Sequence, residues 1–237
     1  KTPFRIGRIK GYTRFLLNYR TDTYSNSLTS DMVERNLLLA APLEKIRPIQ
    51  YTKEFRLYLT DQEKKDFRYY MEKEGIVTTK LLHKKWNTEF MITTLKRILE
   101  EYKDIQMIFN YAPGYEEEDA RNIYKELGCP ERIKIDIQAS SLRQLAALCA
   151  NCSFYFGNEG GARHIAQALE IPSFAIYSPS ASKSMWLPAN SVLARGISPD
   201  DILPPEQQAT LTYEERFASI TPEKVYDQLT STLRQLS

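Results

Sequence analysis

From residue 60 onward the spacing of apolar positions switches repeatedly between a helical and an extended period. Thr60 and Glu63 form a capping box, each side chain satisfying an orphan backbone donor, and Gly75 supplies a stop, so a first helix is predicted to about Glu74. Asn87 caps a second helix in which Met91, Leu95, Ile98, Leu99 and Tyr102 share one face and Lys96, Arg97, Glu100 and Glu101 the other. Residues 105–110 then read as a buried strand, Pro113-Gly114 as a turn, and 116–127 as a helix with Ala120, Ile123, Tyr124 and Leu127 inward, ended by Gly128. Ile133, Ile135 and Ile137 alternate with Lys134 and Asp136 as in a strand. Ser141 with Gln144 caps the helix carrying Leu142, Leu145 and Leu148. Residues 153–156 form a short strand that runs into Gly157-Asn158-Glu159-Gly160-Gly161, followed by a helix through Leu169 and an apolar strand over 173–177. Thr221-Pro222-Glu223 opens a last helix with Val225, Leu229, Leu233 and Leu236 in one stripe.

Strict alternation of strand and helix predicts βαβ units, that is, an α/β fold with a parallel sheet covered on both faces. The pattern fails once. After the first helix only Ile76 and Val77 precede the polar run that begins at Thr78, too few for an ordinary strand, which suggests residues absent between Gly75 and Thr78. Residues 1–50 also differ: a short strand over 4–6, a polar loop, and a helix from about Asp31 to Ala41 make no complete βαβ unit. They read as the tail of a domain whose body lies upstream, and the start at Lys1 reads like a fragment.

Composition narrows the function classes. In 237 residues, 42% are hydrophobic and 26% charged, which suits a folded core and excludes wholesale disorder. The 32 Lys and Arg against 30 Asp and Glu leave a formal charge of +2, not the basic footprint that nucleic-acid phosphates demand, so no nucleic-acid partner is expected. No stretch approaches the roughly 18 apolar residues of a bilayer span, so no transmembrane segment is expected. Cys129, Cys149 and Cys152 are an odd number in a chain large enough not to need staples, which fits a reducing compartment and predicts a cytoplasmic location.

In an open parallel sheet, ligands bind where strand ends lead into helix N-termini. Gly157 to Gly161 is the first candidate, because three glycines in five residues let backbone amides approach an anion at a helix N-terminus. Asn158 and Glu159 add polar groups there, and Arg163 and His164 fall in the first helical turn, where they either meet a phosphate or serve the fold. The plainer alternative is a tight turn that needs glycine only for its backbone angles. The second candidate is Thr78-Thr79-Lys80 through His83-Lys84-Lys85-Trp86, hydroxyls and cations suited to a pyrophosphate, against the alternative of solvated surface lysines; Trp86 is expected to anchor this loop by packing. The third is the run from Tyr111 to Glu116, where a carboxylate could accept both ribose hydroxyls and Tyr111 or Tyr115 lie against a base; Glu117 and Glu118 are read as serving their own helix dipole. Cys149-x-x-Cys152 has metal-like spacing but no second pair, so no metal site is expected.

Taken together, these stretches resemble the carboxyl-terminal half of a family 9 glycosyltransferase, the ADP-heptose:lipopolysaccharide heptosyltransferases and their relatives. Phe156-Gly157-Asn158-Glu159-Gly160-Gly161-Ala162-Arg163-His164-Ile165-Ala166 through Pro172 resembles the family's strand followed by G-N/D-D-[ST]-G-x-x-H-[LI]-A-A-A-L-G-x-P. Thr78-Thr79 with Lys84-Lys85-Trp86 resembles its hydroxyl pair and K-[RH]-W-P, and 141–147 its S-L-R-E-L-A-A. Residues 4–7 and 31–43 resemble the end of its first domain. The chain departs from the pattern at Glu159 for Asp, Gly160 for Ser or Thr, and Asn87 for Pro.

The resemblance implies a GT-B architecture with a Rossmann-like parallel sheet, the N-terminal domain being largely absent from this sequence. It divides the chain into 1–50, the tail of an acceptor-side domain and linker; 51–220, the nucleotide-sugar-binding domain; and 221–237, a helix packing back across the domains. It implies inverting, metal-independent transfer of a heptose-like sugar from a nucleoside-diphosphate donor, ADP-linked, to a lipopolysaccharide-core or related envelope glycan. The acceptor would sit at the inner membrane face of a Gram-negative bacterium, with no cofactor beyond the substrate. Thr78, Thr79, Lys84 and the Gly160 and Gly161 amides would hold the diphosphate. Glu116 would hold the ribose, with Tyr111 near the base, and Glu159 and Asn158 would face the sugar. The base would lie in the first domain's opening loop, so no catalytic residue is named. Two alternatives are a nucleotide-sugar-binding module and a GT-B sugar-nucleotide epimerase.

Overall fold

The computed structural model describes residues 5–9, 15–22, 31–73, 80–83, 86–187 and 191–234. The chain forms two compact units, one of Lys1–Phe55 with Ser184–Ala189 and one of Arg56–Lys183 with Asn190–Ser237.

In the smaller unit, β1 (Ile6–Arg8) and β2 (Tyr19–Thr21) form a two-stranded parallel pair, with Ile6 opposite Tyr19. The first strand begins later than the expected 4–6, and β2 lies in the stretch read as polar loop. Helix α1 (Met32–Leu37) is capped by Asp31, whose Oδ1 accepts the Glu34 amide at 2.9 Å. It passes into a 3-10 helix, Leu38–Lys45, that contains Pro42. Proline lacks the N–H that would continue an α-helical ladder, which accounts for the tightened turn.

The larger unit is the expected α/β fold. Its elements are α2 (Asp61–Lys73), β3 (Lys80–His83), α3 (Thr88–Glu101), β4 (Met107–Phe109), α4 (Tyr115–Glu126), β5 (Ile133–Lys134), α5 (Leu142–Ala150), β6 (Phe154–Asn158), α6 (Gly161–Ala168), β7 (Ser173–Ile176), β8 (Ala194–Ile197), the short α8 (Pro205–Gln208) and α9 (Tyr213–Ala218), and α10 (Pro222–Arg234); between β7 and β8 the one-turn α7 (Lys183–Trp186) falls, from Ser184 on, in the smaller unit. The sheet is six-stranded and parallel, in the order β5-β4-β3-β6-β7-β8. The chain steps outward from β3 to β5, returns to place β6 beside β3, then steps outward the other way. The order therefore reverses between β3 and β6, and a parallel sheet opens its ligand crevice at such a reversal.

Strand side chains divide between two cores by their period of two. Met107, Phe109, Phe154 and Phe156 belong to one cluster with Leu95 and Ile98 of α3 and Val225 and Leu229 of α10. Ile108 and Tyr155, between them in sequence, belong to the other with Phe67 and Met71 of α2, Leu148 of α5 and Ala166 of α6. The α10 stripe is buried at Val225, Leu229 and Leu233, a spacing of four that keeps one helical face inward. Leu236 lies outside the described residues.

The predicted caps form as chemistry requires. Thr60 Oγ1 accepts the Glu63 amide at 3.2 Å while Glu63 Oε2 accepts the Thr60 amide at 2.7 Å. Asn87 Oδ1 accepts from Phe90 at 3.1 Å, and Ser141 Oγ from Gln144 at 3.2 Å. At the end of α4, Gly128 at φ 81° and the bond from the Cys129 amide to Tyr124 O at 3.0 Å make a left-handed stop. Glu63 also pairs with Arg143 (Nη2 to Oε2, 3.0 Å), tying α2 to α5; the hydrogen bond from Arg143, followed by those from Thr60, lowers the Glu63 carboxyl to about 2.

Leu142, the first residue of α5, is exposed, and the helix turns Ala146, Ala147 and Leu148 inward. Two expectations are corrected. β5 covers only two of the five residues expected to alternate, although Ile135 and Ile137 are still buried. The stretch 80–83, read as part of a polar loop, is β3, hydrogen-bonded between β4 and β6. The suspected gap at 75–78 lies outside the described residues.

Candidate functional site

All six strands run the same way, so their following loops share one edge of the sheet. The turn after β6 sits at the reversal. Its last strand residue, Asn158, is buried, and its Oδ1 accepts the backbone N–H of Trp86, on the loop after β3, at 3.1 Å. A backbone amide can only donate, so the carboxamide orientation is settled: Oδ1 faces Trp86, and Nδ2, buried, has no hydrogen-bond partner among the described residues. Tyr155 Oη holds the same corner by donating to Asn158 O at 2.9 Å. Trp86 is fixed at its other end too, because its indole N–H donates to Ile220 O at 2.9 Å and its ring packs edge-on against Phe90. As expected, it anchors its loop by packing.

Beyond Asn158 the chain enters α6 through Gly160, which acts as N-cap without a side-chain cap bond. The helix therefore presents its N-terminal backbone donors and positive dipole end with no oxygen of its own turned onto them. Glu159 is half-buried beside this end. Its carboxylate accepts from His164 Nε2 at 3.2 Å. Arg163 Nη2 lies against both ring nitrogens of His164, closer to Nδ1 than to Nε2. The hydrogen bond from His164, more than its charge or that of Arg163, holds the Glu159 carboxyl below its ordinary range, against the opposing pull of burial.

Arg163 is fully buried and donates to Gln167 Oε1 at 2.6 Å. Tyr155 and Tyr177 surround this corner. Burial raises both phenols, Tyr177 to about 12, so both are neutral hydroxyls near pH 7.

The loop after β4 lies two strands from β6, about 10 Å away at ordinary strand spacing. Tyr111 is buried in the core, its hydroxyl donating to Ile135 O at 2.9 Å. Glu116 Oε2 accepts the Ala112 amide at 3.0 Å and closes its own loop. Tyr115 beside it is exposed. Thr78, Thr79 and Lys84 lie outside the described residues. In sequence Lys84 follows β3 directly, whereas Thr78 and Thr79 precede it. Among the described residues, no three His, Cys, Asp or Glu side chains are placed to hold a metal ion. Cys149 and Cys152 are buried thiols not joined in a disulfide, and burial raises Cys149 to about 12, which keeps it protonated.

The model of glycosyltransferase family 9 (heptosyltransferase) matches residues 1–200. The chain belongs to glycosyltransferase family 9. As a family 9 glycosyltransferase it shares the GT-B fold of solved structures at low identity. ADP-heptose LPS heptosyltransferase II of E. coli superposes with a TM-score of 0.71 at 22% identity, over 98% of this chain and 70% of that one. A family 9 glycosyl transferase from Veillonella parvula gives 0.68 at 14%, over 98% and 68%. The E. coli heptosyltransferase WaaC with ADP-2-deoxy-2-fluoro heptose gives 0.56 at 16%, over 92% and 60%. No curated protein matches the sequence. Among the described residues of this glycosyltransferase, no helix is long and apolar enough to cross a membrane.

Two features of the site escape sequence reasoning. The Asn158–Trp86 bond joins residues 72 apart, and nothing local signals it. The burial of Arg163 has a faint signal: with Ala162 and Ala166 it sits on the apolar side of α6, one turn before Gln167.

Proposed function

We propose that this glycosyltransferase binds a nucleoside-diphosphate sugar across the β3/β6 reversal and transfers a heptose-like sugar, by inversion and without a metal, to a lipopolysaccharide-core or related envelope glycan. The observation that carries the reading is the uncapped glycine entry to α6, clasped to the loop after β3 by Asn158 and Trp86. Backbone donors and the helix dipole there suit the diphosphate, and Lys84, next after β3, would add a point charge. Thr78 and Thr79 precede that strand, so the account leans on Lys84 and the Gly160 and Gly161 amides. The buried Nδ2 of Asn158 is a donor that a phosphate or sugar oxygen would satisfy. Glu159, kept charged by His164, is an acceptor for sugar hydroxyls. Glu116, about 10 Å along the edge, would reach the ribose, with the exposed Tyr115, rather than the packed Tyr111, against the base.

An ADP-linked donor is favoured by the ADP and ADP-2-deoxy-2-fluoro heptose named with WaaC. In the transfer step the acceptor hydroxyl loses its proton to a base, its oxygen bonds to the anomeric carbon, and the bond to the diphosphate breaks with its electron pair. This chain's groups stabilise the charge that develops on the departing diphosphate. They are assigned to the donor, and no residue is assigned as the base. The site's position on the cytoplasmic side of the inner membrane belongs to the same proposal.

A thermal-shift screen against ADP-, GDP-, UDP- and CMP-sugars tests the reading, because a ligand that prefers the folded chain raises its melting temperature. The expected result is a rise with the ADP-sugar, reduced in Lys84→Ala with the unliganded melting temperature unchanged. No rise with any of the four contradicts it.

A further inference from the structure

The connection between β1 and β2 of the smaller unit ends in Phe15-Leu16-Leu17-Asn18, and the last two of these are held. Leu17 packs onto the backbone of β1, so closely that a Cβ at Gly7 would lie 2.5 Å from its Cδ1. Asn18 grips the start of the same strand: its Oδ1 accepts the Arg5 amide at 2.8 Å, and its own amide donates to Arg5 O at 3.1 Å. The two residues before them are turned outward, Phe15 at 87% exposure and Leu16 at 63%. No other large apolar side chain among the described residues is as exposed as Phe15. One exposed apolar residue is ordinary, but an adjacent aromatic and aliphatic pair on an anchored turn is surface offered to something.

The charge around the pair says what kind of surface it meets. Residues 1–21 contain Lys1, Arg5, Arg8, Lys10, Arg14 and Arg20 and no Asp or Glu, in a chain whose formal charge is only +2. Arg8 donates to Asn36 Oδ1 at 2.6 Å, whereas Arg5, beside Asn18, and Arg20, in β2, are exposed. An apolar interior would desolvate these cations, and the segment supplies no carboxylate to pair with them. A surface that is apolar within and anionic at its face satisfies both halves of the pattern. We propose that the Phe15-Leu16 turn docks on an anionic phospholipid bilayer, the two side chains entering the boundary between headgroups and acyl chains, with Arg5 and Arg20 toward the lipid phosphates. This site belongs to the smaller unit, so it goes beyond the donor site and needs neither that site nor sugar transfer to be correct.

Co-sedimentation of the whole chain with vesicles tests it, one set of phosphatidylcholine alone and one of phosphatidylcholine and phosphatidylglycerol in equal parts. Expected is binding to the phosphatidylglycerol vesicles that weakens as salt is raised, and little to phosphatidylcholine. Arg5→Ala and Arg20→Ala should each lower that affinity about fivefold. Phe15→Ser combined with Leu16→Ser should lower it at least about tenfold, with the melting temperature unchanged because neither side chain is buried. Phe15→Trp supplies a signal that depends on no loss of binding: its fluorescence should be quenched by vesicles with brominated acyl chains, beyond any quenching of the wild type. No binding to phosphatidylglycerol vesicles, equal binding to both sets, or a tryptophan at 15 that brominated lipid leaves untouched overturns the inference. So does a chain that self-associates without lipid and becomes monomeric in the double serine variant, since the turn would then belong to a second copy.

Discussion

Asn158 Oδ1 accepts the Trp86 amide at 3.1 Å and so joins the two loops that leave adjacent strands at the point where the sheet order reverses. The bond is buried, which makes it costly to break. Asn158→Ala leaves the Trp86 N–H without its acceptor, and the expected loss is about 1–3 kcal/mol of stability. The same variant should weaken ADP binding, because the loop that carries Lys84 loses its tether. Urea denaturation and calorimetry check the two effects; a variant as stable as wild type and binding ADP equally would remove the clasp from the account.

Glu159 links the site to pH. Its carboxyl is lowered in the folded chain by the His164 hydrogen bond, so its contribution to stability is fully present above its ordinary value of 4.5 and is lost as pH falls through the lowered one. The difference in urea midpoint between wild type and Glu159→Gln should therefore be present at about pH 4.5 and close as the pH falls below it. A difference that stays constant through the acid range would show that the His164 interaction does not hold this carboxylate.

Gly196 sits in β8 against β7, where the Ala175 carbonyl and the Tyr177 ring leave no room for a methyl. Gly196→Ala should cost about 1–3 kcal/mol, the usual penalty of forcing a methyl into a packed site. Because Tyr177 also lines the corner beneath α6, its displacement should be seen as a change in tyrosine near-ultraviolet circular dichroism. A variant of wild-type melting temperature would contradict the packing described.

How much of this was legible in the sequence depended on how local the chemistry was. Caps at Thr60, Asn87 and Ser141 are contained within four residues, and each forms the predicted bonds. The glycine entry to α6 was equally legible, because strand, turn and helix follow each other without interruption. β8 was missed, since Ala-Arg-Gly-Ile shows neither alternation nor a run of branched residues, and only its pairing with β7 makes it a strand. The Thr212–Glu215 capping box of α9 was a readable signal. Arg163 stayed open between two readings for the opposite reason: a cation in a first helical turn suggests an anion, and only the tertiary fold shows it turned inward onto His164 and Gln167.

The central claim is that the uncapped start of α6 receives the diphosphate of a sugar nucleotide. Isotope-labelled protein titrated with ADP and followed by its backbone amide resonances tests it most directly. The account predicts that the amides of Gly160, Gly161 and Ala162 move together and saturably, along with Trp86. Shifts confined to other parts of the larger unit, such as the cavity of about 470 Å3 between α2 and α5 lined by Phe67, Tyr70 and Arg143, with the α6 amides still, would contradict it.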